Sequence, residues 1–279
     1  MLAVLYGLLS AVLWGAADFS GGVASRKAGA LRVVFLGEII GIVVLIAAAL
    51  SIRDQFPNSL AMVQAALAGA LGSLGLVLLY HALSIGSMSI AAPVSALTAA
   101  VLPVVVGTIT EGLPSGLTLI GFAFALLAVW FVSQDEQGPR NILTHISDLR
   151  LPLLAGVGFG SYFVLMHSAA QQSTLWPMVI SRGGGLAIIG FVMLVRRDSL
   201  RVVRDAWPII VINGILDVGG NVFYILAGQI GRMDVSAVLS SLYPGVTVIL
   251  AGFLLKERLS RTQWGGIAAA LIAIMMFTL

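Results

Sequence analysis

Asn213, Asp217 and Asn221 recur every fourth residue, and Tyr224 continues near the same face of the predicted helix. Residues four apart stack on one helix face, so two amides and a carboxylate form a stripe inside an apolar run. Against lipid such a stripe is costly, so it must face protein or a wet cavity. Two roles fit it: a substrate or proton site centred on Asp217, or a hydrogen-bonded seam between helices. In the first apolar run Asp18 follows Trp14 by one turn. A ring beside a carboxylate suits a cationic or zwitterionic substrate; otherwise Asp18 caps a neighbouring helix and Trp14 packs. Glu38 and Arg182 lie in two further apolar runs, and Tyr80 joins them as a polar aromatic candidate. Arg182 has Glu38 or Asp217 as its expected partner, or snorkels to a nearby span end.

The remaining polar residues suggest lesser roles. His81 and His167 are either proton relays or lone histidines hydrogen-bonded within a bundle. Glu111 and Glu257 stand at loop-to-helix junctions and read as caps shaping the fifth and tenth spans. Pro93, Pro103 and Pro244 are expected to interrupt backbone hydrogen bonding and serve as gating kinks. With no cysteine, disulfides, thiolate metal sites and thiol nucleophiles are excluded. No Gly-x-x-x-x-Gly-Lys string is present, which argues against a nucleotide motor. Ser161 follows Gly160 but forms no hydrolase motif with any of the three histidines, and no metal or cofactor site is expected.

Such side chains need a scaffold, and composition says which solvent it meets. Of 279 residues 59% are hydrophobic and only 10% charged, with mean hydropathy +1.06. Soluble domains run nearer a quarter charged, so the fold class expected is an all-α, polytopic membrane protein. A span needs roughly 20 apolar residues. Ten such runs are read, near Leu2–Val23, Leu31–Ile52, Leu60–Leu83, Met88–Ile109, Leu117–Val132, Leu151–Ala170, Pro177–Val195, Ala206–Gly228, Val235–Leu254 and Trp264–Leu279. The first is read as a retained helix rather than a signal peptide. Trp176, Trp207 and Trp264 fall at expected span ends, as an aromatic belt would place them.

The halves repeat. A shift of 145 positions lays Gly15, Gly69, Gly75, Gly86, Gly107 and Gly121 over Gly160, Gly214, Gly220, Gly231, Gly252 and Gly266, where chance would give roughly one or two matches. Glu38 and Arg182 fall at adjacent positions of this alignment. The expected organisation is 1–134, a first five-helix repeat; 135–150, a polar connection; and 151–279, a second repeat. Five is odd, so the halves would enter the membrane from opposite sides, as in alternating-access carriers. On the N-terminal side the loops carry Arg53 and Arg232. The other side carries Arg26, Lys27, Arg32, Arg140, Arg150, Arg196, Arg197, Arg201, Arg204, Lys256, Arg258 and Arg261. That bias places both termini outside. It also assigns the basic residues to membrane orientation, so no nucleic-acid partner is expected.

Several strings carry a likeness: Leu13-Trp14-Gly15, Tyr80-His-Ala-Leu-Ser-Ile-Gly86, Ala237-Val-Leu-Ser-Ser-Leu-Tyr-Pro244, Leu255-Lys-Glu257-Arg-Leu-Ser260 and the glycine-started last span from Gly265. With them the chain resembles the drug/metabolite transporter superfamily, in particular its EamA-type members. The pattern departs at Thr110-Glu111-Gly112, where that family often has Gly-Glu and then a basic or polar residue. The resemblance implies export or exchange of small metabolites, amino acids or drugs without ATP, with peripheral fifth and tenth helices. It also implies cytoplasmic termini, whereas the charge count places them outside; orientation stands open between the two. The function expected is secondary transport of a small molecule across a cell membrane, with proton coupling through Asp18, Asp217 or Glu38. The competing classes are an intramembrane enzyme and a non-transporting receptor or assembly subunit. Nothing in the sequence specifies the substrate or the oligomeric state.

Overall fold

The computed structural model describes residues 1–85, 88–132, 149–255 and 260–278. Gly86, Glu257 and most of the polar connection, 135–148, lie outside the described residues. The described residues form eleven helices: α1 (Leu2–Ala28), α2 (Ala30–Ile52), α3 (Ser59–Ile85), α4 (Met88–Glu111), α5 (Gly116–Val132), α6 (Arg150–Ala169), α7 (Leu175–Arg196), α8 (Trp207–Ile230), α9 (Met233–Ser240), α10 (Tyr243–Leu255) and α11 (Arg261–Thr278). Seven expected spans are long and apolar enough to cross a membrane, and α5 and α11 are shorter apolar helices. The ninth expected span is divided into α9 and α10.

That division refines the proline reading. The α4 helix runs through Pro93 and Pro103 without ending, so neither breaks its span. The break falls at Ser241–Leu242, and Pro244 is the second residue of α10, where a missing N–H is no loss. The caps also differ from expectation. Ser115 Oγ accepts from Thr118 N–H at the start of α5, at 3.1 Å. Ser260, its partner in the repeat, accepts from Gln263 N–H at 3.2 Å, while Gln263 Oε1 accepts from Ser260 N–H at 2.8 Å, a reciprocal capping box. Glu111 therefore does not cap the fifth span. Its carboxylate accepts from Met233 N–H at 3.2 Å, at the positive start of α9 in the other half.

Packing follows the repeat. The α1 helix lies along α8, as α6 lies along α3. The α4 helix packs on α6, as α9 and α10 pack on α1, while α2 with α7 and α5 with α11 pair with their own equivalents. Exchange of the halves thus returns the same set of neighbours, as a pseudo-two-fold axis requires. The matched glycines make this arrangement possible. A β-carbon on Gly15 would strike the Tyr243 carbonyl on α10, and one on Gly160 the Ala99 carbonyl on α4. Between helices in lipid, small residues gain close van der Waals contact that larger side chains would prevent. The α5–α11 pair stands to one side, joined across Phe122 and Phe277.

The end of the bundle carrying the chain termini is tied across the halves. Asp54 Oδ2 accepts from Leu175 N–H at 2.7 Å, Trp176 N–H at 3.2 Å and Ser173 Oγ at 2.9 Å, and so caps α7 from outside. Arg232 donates to the Gly112 carbonyl at 2.8 Å and grips Asp234 through two nitrogens.

Candidate functional site

Where α1, α3, α6, α7 and α8 meet near the bundle centre, they surround a cavity whose empty space, with its open mouth included, is about 670 Å³. Both halves supply its walls. Trp14 and Asp18 come from α1, one turn apart and on one wall as their spacing requires. The Trp14 ring stacks on Phe163 with centroids 5.5 Å apart and lies 5.7 Å from Tyr224. Gly220 makes room for it, because a β-carbon there would collide with the indole. Tyr224 itself is buried and donates to the Phe163 carbonyl at 3.1 Å.

Arg182 decides the electrostatics. It is only 8% exposed, so it does not snorkel; it points inward between two carboxylates. One guanidinium nitrogen donates to Glu38 Oε2 at 3.0 Å, and another donates to Asp217 Oδ2. Both partners suggested by the sequence are therefore used at once. Ser73 Oγ donates to the second oxygen of Glu38. Glu38 and Arg182 sit on the self-paired helices α2 and α7, so this bond spans the pseudo-axis. Gly41 gives Arg182 its space and Gly185 gives Glu38 its own; each glycine lies three residues after the opposite partner of the ion pair. A buried pair contributes only if its remaining hydrogen-bonding groups are satisfied, and Ser73 and Asp217 supply that here.

The α8 stripe divides by depth. Asp217 and Asn221 line the cavity. Asn221 accepts from the Tyr162 hydroxyl and donates to the Asp217 carbonyl at 2.7 Å. Asn213 does not line it. It donates to the Ala17 carbonyl at 2.7 Å and to the Tyr80 hydroxyl at 2.9 Å, a buried seam joining α1, α3 and α8. The stripe is thus split between the cavity wall and a buried seam, and Tyr80 belongs to the seam. His81 is exposed, and His167 lies at the terminus end, 3.9 Å from Glu111. Neither histidine lines the cavity.

Sequence reading missed Ser73, Phe159, Tyr162, Phe163, Met178 and Tyr243, all lining residues. A signal for two of them was present: the 145-residue shift lays Phe159 over Trp14 and Phe163 over Asp18. Tyr243 begins α10 directly after the break, and its hydroxyl meets Ser95 Oγ at 2.9 Å across the halves. Among the described residues the lining holds three carboxylates and one guanidinium. Among the described residues no cluster of metal-ligating side chains occurs.

Compared with known proteins, the chain matches the model of the EamA-like transporter family over residues 1–134 and again over 149–279. No curated protein gave a match. One crystal structure is similar with a TM-score of 0.78, covering 99% of this chain and 96% of its own at 17% identity. That likeness concerns the fold.

Proposed function

Since the chain belongs to the EamA-like transporter family, a family of multi-pass membrane transporters, we propose that it is a secondary carrier. It moves small metabolites, amino acids or drugs by alternating access. The observation that supports this most is the central cavity, walled by both halves and crossed on the pseudo-axis by the Glu38–Arg182 pair. Rocking one half against the other exposes such a site to either face in turn. Substrate would sit against Trp14 and Asp18 on α1 and Asp217 and Asn221 on α8. The break before α10 would supply the flexible element beside it.

Proton coupling is part of this reading. Among the described residues the titratable groups facing the cavity are Asp18, Glu38, Tyr162, Arg182, Asp217 and Tyr243, and a carboxylate can alternate between charged and neutral forms when its desolvation differs between two states. The basic residues clustered at the end opposite the termini support a cell-membrane orientation with both termini outside. The test is reconstitution into liposomes, with flux of a solute panel measured with and without an imposed pH gradient. Flux in the native protein that Asp217→Asn abolishes, with folding retained, supports the reading. Conversion of solute into product without net movement would favour an enzyme and sink it.

A further inference from the structure

We propose that this cavity selects a monovalent organic cation with an aromatic or apolar body, held at the Asp18 carboxylate, and discriminates against amino acids and other carboxylates. The proposal rests on the carrier reading for its biological meaning and deepens it.

The three lining carboxylates are not equivalent. Glu38 and Asp217 are both committed to Arg182. Asp18 is only 6% exposed, borders the cavity, and has no hydrogen-bond or ion-pair partner among the described residues. A carboxylate withdrawn from water without a partner either takes up a proton or pairs with a cation, so Asp18 is the place where the cavity can receive a positive charge. A protonated amine or a quaternary nitrogen supplies one.

The donors argue the same way from the other side. A substrate carboxylate would look to Arg182, the one cationic side chain lining the cavity among the described residues. That guanidinium already serves two carboxylates, so an incoming anion must displace one of them and then lie beside it. The hydroxyl of Ser73 is donated to Glu38 and that of Tyr162 to Asn221. The walls that remain are mostly apolar and aromatic, among them Trp14, Phe159, Phe163 and Tyr243 with the Met178 thioether, beside the Ser181 hydroxyl. Aromatic faces attract cations through the ring quadrupole and repel anions. An amino acid would gain at Asp18 through its ammonium and lose at the same site through its carboxylate.

The experiment uses probes that share a phenyl body and differ in charge: phenethylamine and 1-methyl-4-phenylpyridinium as cations, phenylalanine as zwitterion, benzoate as anion. Binding to the detergent-purified full chain is measured by titration calorimetry at neutral pH. Both cations should bind, with phenylalanine and benzoate weaker by about tenfold or more. Asp18→Asn should weaken both cations by about tenfold or more, for phenethylamine the usual cost of losing a hydrogen bond to a charged group and for the pyridinium, which has no N–H to donate, the loss of its counter-ion, whereas Asp18→Glu should keep them within a few-fold. Phenylalanine bound as tightly as phenethylamine overturns the proposal, as does failure of both cations to bind. Cation binding unchanged in Asp18→Asn also overturns it. The phenylalanine-to-phenethylamine ratio needs no variant, so the result stands even if a substitution fails to fold. Flux separates the two readings. Transport of phenylalanine alone would keep the carrier and remove the cation site; cation binding at Asp18 without flux of any probe would do the reverse.

Discussion

Arg53–Asp54 and Arg197–Asp198 form the same turn in the two halves, yet their surroundings treat them differently. In each the arginine is left-handed, φ 54° and 55°, and closes the preceding helix. The following aspartate N–H returns to the carbonyl five residues back, Ala49 in one case and Met193 in the other. Asp54 then reaches across to the other half and caps α7. Asp198 stays at home beside Arg196, at 3.3 Å. Across the halves at that end, among the described residues, Arg32 donates to the Ser199 carbonyl at 2.6 Å. The backbone repeats and the ties do not, so the terminus end is the more firmly held. If the halves alternate as proposed, such a difference would distinguish the two ends. Exchange of the halves would place Asp198 at the start of α2 when the other end closes.

The comparison can be broken most severely at the centre. Arg182→Met removes the cation shared by Glu38 and Asp217 and leaves two carboxylates facing each other. Losing one member of a buried pair costs about 3–5 kcal/mol, which denaturant unfolding in detergent should register as the largest loss in this set. Equivalent glycines come next. A β-carbon on Gly69 would run into the Ser181 backbone carbonyl, whereas the nearest atom to one on Gly214 is Ile40 Cβ at 3.2 Å. Gly69→Ala should therefore cost about 1–3 kcal/mol and Gly214→Ala clearly less; equal losses would mean that the halves are more alike than these contacts suggest.

A smaller effect should separate the two aspartates. Asp54→Ala deletes the cap on α7, worth about 1 kcal/mol, and should loosen the terminus end. Because the chain has no cysteine, a single cysteine at Met178 can report this as faster labelling by a membrane-impermeant maleimide from that side. Asp198→Ala should leave the same labelling rate unchanged or lower it; acceleration by both would dissolve the distinction between the turns. The smallest change is expected for Arg32→Ala, an exposed hydrogen bond worth about 0.5–1.5 kcal/mol at most, again read by unfolding.

Much of this was legible beforehand because lipid punishes exceptions. Asp18, Glu38, Arg182, Asp217 and the two asparagines stood out as polar groups at membrane depth, and all six are at least half-buried near the bundle centre. Which of them touch was not legible. Asn213 and Asn221 lie on the same stripe, yet one faces a seam and the other a cavity, because Tyr80 and Ala17 approach α8 at only one of these depths. Phe159, Phe163 and Tyr243 read as ordinary apolar or aromatic residues, since nothing local distinguishes a wall of a cavity from a packed interface. Glu111 looked like a cap for the helix that follows it, and caps instead a helix some 120 residues later.

The order of residues alone determined the number and length of the apolar runs, the polar stripe on the eighth, and the repeat. Periodicity, span length and glycine spacing are local quantities that a bilayer converts directly into helices. The tertiary structure alone decided that Arg182 serves two carboxylates, that Asp18 has none of its cation, and that Asp54 rather than Asp198 reaches across. Those outcomes depend on how two similar halves cross, and a crossing geometry brings together residues far apart in the chain, with no record in either neighbourhood.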